Sequence, residues 1–116
     1  MFSAKCISET DKTIKWEKID ISVKMNLYRI IQESLNNCNK YANASEINIH
    51  ICKKNLESIT LTIEDNGIGF NLNKKKYGIG IKNMSERAES IGGNFEINSK
   101  INKGTIVLIE FPQHLK

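Results

Sequence analysis

Three short stretches of this chain combine residue types that can do chemistry with spacings that can bring them together. The first is Glu33, Asn37 and Lys40. On a helix, residues three and four apart share a face, so a carboxylate, an amide and an ammonium would project from one side. An amide oxygen is a hard, neutral ligand that can take one position on Mg²⁺ while phosphates and waters take the rest, and a lysine beside it can neutralise phosphate charge. Glu33, one turn away, can orient or deprotonate a nucleophile. A polar triplet taken alone is more often simply a solvated helix face.

The second stretch is Asp65-Asn66-Gly67-Ile68-Gly69-Phe70, in which a strand ends in a carboxylate and two glycines let the chain turn tightly and approach a ligand closely. Asp65 falls on the apolar side of its strand and needs a donor. A purine's exocyclic amine can supply one, which would accept adenine and set guanine's carbonyl against a carboxylate. The plain alternative is a D-N-G turn closing a hairpin. The third stretch, Tyr77-Gly78-Ile79-Gly80-Ile81, leads directly into a helix, putting glycine amides and a helix N-terminus where a polyphosphate can be held. It is neither a P-loop nor a dinucleotide fingerprint. Lys74-Lys75-Lys76 just upstream reads first as a solvated loop.

The elements that must position these residues follow from periodicity. From Val23 to Tyr41, Leu27, Tyr28, Ile31, Leu35 and Cys38 fall in one sector of a helix, opposite Glu33, Asn37 and Lys40. Ile47, Ile49 and Ile51 alternate with polar residues, as do Ile59, Leu61 and Ile63, giving two half-buried strands joined by a turn at Lys53-Lys54-Asn55. Ile81, Met84, Ala88 and Ile91 predict a short second helix, stopped by Gly92-Gly93. Phe95 to Ile97 and Thr105 to Phe111 read as two final strands around a turn at Asn102-Lys103-Gly104, and Thr105 shares parity with the inward Val107, Ile109 and Phe111. Thr13 to Glu17 alternates briefly and suggests an edge strand. The expected fold is α+β: a two-layer sandwich whose mixed, mostly antiparallel sheet is covered on one face by helices.

Composition narrows the classes. A chain of 116 residues with 40% apolar and 26% charged side chains suits one domain with one core. A net charge of +4 favours anionic ligands but is too small for a nucleic-acid-binding tail. No apolar run is long enough to cross a bilayer, and Met1 to Lys5 lacks the apolar region of a signal peptide. Cys6, Cys38 and Cys52 are odd in number and widely spaced, indicating neither a disulfide framework nor a zinc site and favouring a reducing, cytoplasmic setting. His50, on the polar side of its strand, and His114, in the tail, show no partner for nucleophilic or metal chemistry. Trp16 and the tyrosines do not interleave with a basic stripe, which argues against a base-stacking surface.

The order of the motifs is more specific than any one of them. Glu-x-x-x-Asn on a helix, Asp-x-Gly-x-Gly at a strand end, Gly-x-Gly opening a helix and Gly-Thr before a last strand together resemble the GHKL ATPase fold. Leu27 to Asn37 and Asn83-Met84-Ser85-Glu86-Arg87-Ala88 further resemble the ATP-binding domain of bacterial sensor histidine kinases, in the subfamily that includes nitrate and membrane-fluidity sensors. The resemblance runs from about Leu27 to Pro112. It implies that Asn37 coordinates Mg²⁺, that Glu33 is the acidic residue assisting transfer, that Lys40 approaches phosphate and that Asp65 binds the adenine amine. It further implies that Gly67 and Gly69 shape the adenine pocket, that Gly78 and Gly80 hold phosphates at the hinge of a mobile lid, and that Thr105 reaches adenine through water.

The chain departs from the family pattern at Tyr41, where histidine is usual, and at Asn83, often glycine in this subfamily. It has no room for the helix pair bearing a phospho-accepting histidine. The expected organisation is one domain over 1–116, with a leading segment 1–21, a core 22–112 and an ATP lid 66–82, excised from a longer parent kinase that a membrane can anchor. Its expected partners are ATP, Mg²⁺, the parent's histidine-bearing dimerisation domain and a downstream response regulator, with no nucleic acid and no membrane contact of its own. Two other hypotheses stand beside this one: a stand-alone serine kinase of the anti-sigma-factor type, and a non-catalytic module binding nucleic acid through its positive charge.

Overall fold

Alternating isoleucines build the floor of the molecule. Ile47 and Ile49 on one strand, Ile59, Leu61 and Ile63 on the next, and Val107, Ile109 and Phe111 on a third are all buried on the same face. The computed structural model describes residues 5–39, 43–69 and 78–113. Lys40, Tyr41, Phe70, Lys74 to Lys76, Tyr77 and His114 lie outside the described residues. The described elements are β1 (Lys5–Thr10), a single 3₁₀ turn at Trp16–Lys18, α1 (Ile21–Asn37), β2 (Glu46–Lys53), β3 (Ser58–Asp65), α2 (Gly78–Ser90), β4 (Asn94–Lys100) and β5 (Gly104–Pro112).

The strands form one sheet in the order β1-β2-β3-β5-β4, with β1 parallel to β2 and every other pairing antiparallel. Both helices contribute to the core against the sheet's inner face: Val23, Leu27 and Ile30 from α1, Met84 and Ala88 from α2, with Ile14, Ile19 and Ile91 from the connections. Fully burying side chains such as Ile30, Ile59 and Phe111 contributes about 1.5 to 3 kcal/mol each before conformational entropy is set against it. This is the two-layer α+β sandwich expected from the alternation.

Two local expectations are corrected. The edge strand is not Thr13 to Glu17 but Lys5–Thr10, and Trp16 sits in the 3₁₀ turn. Asp11 ends β1: its backbone N–H donates to the Ile51 carbonyl, and its carboxylate accepts from the backbone N–H of Thr13 and of Lys53. Those bonds turn the chain off the sheet before the alternating residues begin. On α1 the buried residues are Val23, Leu27, Ile30 and Ser34, joined by Cys38 at its C-cap, while Tyr28 is 61% exposed. The inward sector is therefore turned by about 70° from the one hydrophobicity alone selects. The cause is the second helix, since Ser34 Oγ bonds the buried sulfur of Met84 at 3.2 Å and its small side chain admits α2 there. Asp20 caps the start of α1 by accepting from the Ser22 N–H.

Candidate functional site

Strand register fixes the first half of the site. Asp65 ends β3 and pairs with Thr105 of β5, which pairs with Ser99 of β4, so the three residues form one row across neighbouring strands. Parity turns all three toward the helix-covered face. Asp65 is half-buried, its Oδ1 accepts the Gly67 N–H at 2.8 Å, and the Thr105 N–H also bonds the carboxylate. Burial raises its pKa above the ordinary 3.8, and the two amide bonds oppose that rise without cancelling it. Next in the row, Thr105 Oγ1 and Ser99 Oγ are 2.7 Å apart, and Ser99 Oγ also reaches the Gly104 carbonyl at 3.3 Å. A cleft of about 200 Å³ opens here, lined by Asp65, Ser99, Gly104, Thr105 and the two lysines Lys100 and Lys103.

Asp-Asn-Gly is not a hairpin turn. Asn66 instead braces the start of β2: its Oδ1 accepts from the backbone N–H of Ser45 and of Glu46, each at 3.0 Å, and its Nδ2 donates to Ser45 Oγ. The chain then folds over the β4–β5 turn, where the Asn102 N–H donates to the Ile68 carbonyl. Gly69 has φ +64° and lies against the Lys100 carbonyl; Gly104 has φ +87° and lies against the Asp65 carbonyl. At both positions a side chain would meet backbone as well as an unfavourable φ. Gly67, by contrast, serves through its N–H. Gly104 and Gly69 thus hold loop and turn together around Asp65.

The second half of the site comes from the two helices. Glu33 and Asn37 are half-buried on the flank of α1 that faces α2, and Gly80 in the first turn of α2 comes up against them. A Cβ at Gly80 would stand 2.6 Å from Glu33 Oε1, 3.1 Å from Asn37 Nδ2 and 3.3 Å from Asn37 Oδ1. The rotation of α1 that leaves Tyr28 exposed is what brings Glu33 and Asn37 to this border rather than into solvent. Glu33 also lines a cavity of about 150 Å³ between the helices, with Arg29, Gln32, Asn83 and Arg87. Gly78 begins α2, so its first-turn amides lie at this end of the helix.

The sequence-predicted residues thus gather in two groups, Glu33, Asn37 and Gly80 on the helices, and Asp65, Gly67, Gly69 and Thr105 at the sheet end. Lys40 lies outside the described residues, as do residues 70–77 of the expected lid. Ser99 was missed, although its parity with Phe95 and Ile97 marks it as a polar residue on the inner face. Cys38, directly after Asn37, is buried, and burial with Asp65 nearby pushes its thiol up to about 11. His50 is exposed, 3.6 Å from Glu9 on the open face of the sheet. Among the described residues no group of three His, Cys, Asp or Glu could hold a metal, and no helix is long and apolar enough to cross a membrane.

Residues 22–115 match the model of the histidine kinase-, DNA gyrase B-, and HSP90-like ATPase family. The chain is 36% identical over 98 residues to the oxygen sensor histidine kinase NreB of Staphylococcus carnosus, an overlap of 83% of this chain and 28% of that one. It is 36% identical over 99 residues to the signal transduction histidine-protein kinase/phosphatase DegS of Brevibacillus brevis, covering 84% and 25%. With the sensor protein VraS of Staphylococcus aureus it shares 34% over 96 residues, covering 82% and 27%. The chain therefore spans about a quarter of the length of these curated relatives. Among solved structures, the histidine kinase domain of the blue-light activated histidine kinase from Erythrobacter litoralis superposes with a TM-score of 0.79 at 17% identity, over 96% of this chain and 52% of that one. At that identity the likeness concerns the fold.

Proposed function

Because the chain belongs to the histidine kinase-, DNA gyrase B- and HSP90-like ATPase family, we propose that it captures Mg²⁺·ATP between the sheet end and the two helices and presents the γ-phosphoryl group to a histidine on a separate dimerisation domain. The observation that carries this reading is the meeting of Glu33 and Asn37 on Gly80, beside the first-turn amides of α2. An oxygen ligand, a carboxylate and the first-turn amides of a helix converge where a triphosphate would need all three. The donor set suits Mg²⁺ that arrives with its nucleotide: Asn37 Oδ1 offers one hard oxygen, and phosphates would supply others. When bound there, the ion neutralises charge on the phosphoryl oxygens.

The roles of the chain's own residues follow. Asp65 receives the adenine amine while Gly67 and Thr105 hold its carboxylate in place. Gly69 and Gly104 allow the loop and turn to close around that carboxylate. Gly78 and Gly80 bring α2 near enough for its amides to meet phosphate, and Lys40 approaches the same charge. Glu33 borders the cavity between the helices, so it can orient or deprotonate an acceptor imidazole that enters from outside. Catalysis is mainly positioning and charge neutralisation.

Residues 1–116 act as one cytoplasmic domain with a lid at 66–82, a piece of a longer sensor kinase whose phosphorylated histidine feeds a response regulator. NreB and DegS are histidine kinases by name, which favours a histidine acceptor over a serine-bearing one. Thermal denaturation tests the binding step, because a ligand selective for the folded state raises the melting temperature. Mg²⁺·ATP should shift it by several degrees and Mg²⁺·GTP by less, with the ATP shift reduced by EDTA and by Asn37→Ala. No shift with Mg²⁺·ATP would refute the reading.

A further inference from the structure

We propose that the outer face of α1 is a docking surface for one amphipathic helix of a partner domain, a helix whose apolar seam is flanked by carboxylates. Three large apolar residues of α1 stand in solvent: Ile21 is 58% exposed, Met25 56% and Tyr28 61%. Their spacing of four and then three residues sets them along one face. Gln32 and the half-buried Leu35 continue the same spacing toward the end of the helix. The row lies about half a turn around α1 from Val23, Leu27, Ile30 and Ser34, and none of its three exposed members belongs to the core cluster. Single exposed apolar residues are ordinary. A row with heptad spacing is the seam by which one helix grips another.

Charge selects the occupant. The ionisable side chains within α1 are Lys24, Arg29 and Glu33. By helical position Lys24 flanks the row on one side and Arg29 on the other, while Glu33 is turned to the border with α2. The bonds the two cations make are to neutral oxygens, Lys24 Nζ to the Trp16 carbonyl at 3.1 Å and Arg29 to Gln32 Oε1 at 3.3 Å. Across that border, Arg87 lines the same cavity as Arg29 and Glu33, and its neighbouring acid Glu86 lies 3.9 Å from Lys82. A second copy of the chain laid seam to seam would set Lys24 and Arg29 against cations of its own. A helix carrying Glu or Asp beside an apolar seam would meet cations on both flanks. Gln32, polar within the row, would then fix the register. The surface also leads to the site. Glu33 follows Gln32 directly, so a helix seated on the row passes beside the acid proposed to meet the acceptor imidazole. In that respect the inference rests on the proposed function, whereas the surface itself follows from α1 alone.

The test uses two synthetic helical peptides of about four heptads, both with leucine at the seam positions, one with glutamate and the other with lysine at the flanking positions. Fluorescence anisotropy on the whole chain should show the glutamate peptide binding about tenfold or more tighter than the lysine peptide at low salt, with the gap narrowing as salt is added. Amide resonances of Ile21, Met25 and Tyr28 should move on titration. Met25→Ser combined with Tyr28→Ser should weaken the glutamate peptide about tenfold. The same variant should keep its circular dichroism spectrum and its thermal shift with Mg²⁺·ATP, since both side chains stand in solvent away from the cleft. Arg29→Glu should move the preference toward the lysine peptide, a change that lost packing alone would not produce. Equal binding of the two peptides, no binding, or binding that the seam variant leaves intact would overturn the inference. So would self-association of the wild-type chain that the seam variant abolishes, because the occupant would then be a second copy. Those results leave the nucleotide reading standing. A wild-type chain that takes the glutamate peptide but shows no shift with Mg²⁺·ATP loses its proposed function and keeps this surface.

Discussion

The two ends of the proposed cleft are built in different ways. At the sheet end, Asp65, Thr105 and Ser99 belong to three strands joined by continuous backbone ladders, and their relative places are set by register. At the helix end, Glu33, Asn37 and Gly80 come from two helices that meet through side chains, with Ser34 and Met84 as the buried contact. A ladder fixes position residue by residue, whereas a helix pair can shift by small rotations without losing its internal bonds. The difference suggests a division of labour: base recognition on a rigid frame, phosphate handling on a frame that can adjust. The proposed function, admitting ATP and then exposing its terminal phosphate to another domain, would need both.

The largest effect should come from the rigid end. Asp65→Asn replaces a carboxylate acceptor by an amide that can present a donor to the base, and ATP affinity should fall on the order of a hundredfold in calorimetry. The same change should stabilise the empty protein. Burial raises the Asp65 pKa above 3.8 in the folded state, so its stabilising contribution is complete at pH values below 3.8 and is lost as pH rises through the raised value. At pH 7 the native chain carries that penalty and the asparagine variant does not. Its melting temperature should be higher, and the gain should vanish toward pH 3. Retained ATP binding, or a melting temperature that drops, would break the assignment of rigidity and recognition to the same carboxylate.

Two glycine substitutions contrast the ends directly. Gly104→Ala puts a side chain at φ +87° against the Asp65 carbonyl, inside the ladder, and should cost about 1 to 3 kcal/mol of stability in urea titration together with ATP affinity. Gly80→Ala puts its methyl against Glu33 Oε1 and the Asn37 amide, which are ends of side chains able to move. It should leave stability nearly intact and lower Mg²⁺-dependent ATP affinity about tenfold by displacing Asn37 Oδ1. If the Gly80 variant unfolds as readily as the Gly104 variant, the helix end is as rigid as the sheet end and the proposed division fails.

Which parts of this arrangement could be read from sequence follows the same division. Asp65 and Thr105 were legible because strand parity is local: counting by two from Ile63 or Val107 gives the face without knowing any partner. Glu33 and Asn37 were legible from spacing, although their setting was not. Tyr28 looked buried and Ser34 did not, because hydrophobicity cannot report that Met84 of another helix would occupy the space above a serine. The β1 strand, Lys-Cys-Ile-Ser-Glu-Thr, shows no alternation since all its residues but Ile7 are exposed, and parallel pairing with β2 is what selects it. Ser99 has significance only once β4 is paired with β5. The settings of Tyr28 and Ser34 and the choice of β1 depend on residues distant in the chain, whereas Ser99 faces Thr105 across a turn only six residues away.

The smallest effect should come from Asp11, which serves as a control for how far the sheet end is insulated. Its carboxylate is held by the Thr13 hydroxyl at 2.6 Å and by the backbone N–H of Thr13 and of Lys53, and these bonds push its pKa down to about 2. A carboxyl whose folded pKa lies below its unfolded one stabilises the protein above the unfolded value, and that stabilisation is lost as pH falls through about 2. Asp11→Asn should therefore melt slightly lower at pH 7 and match the native chain near pH 2. Lys53 stands six residues along β2 from Ile47, the partner of Asp65, so the perturbation sits about 20 Å from the cleft on the same ladder. If register alone carries the base site, loosening the far corner of the sheet should not be felt there, and calorimetry should give an unchanged ATP affinity. A loss of affinity in Asp11→Asn would show that strand ends communicate along β2, and rigidity could no longer explain why recognition was placed on the sheet.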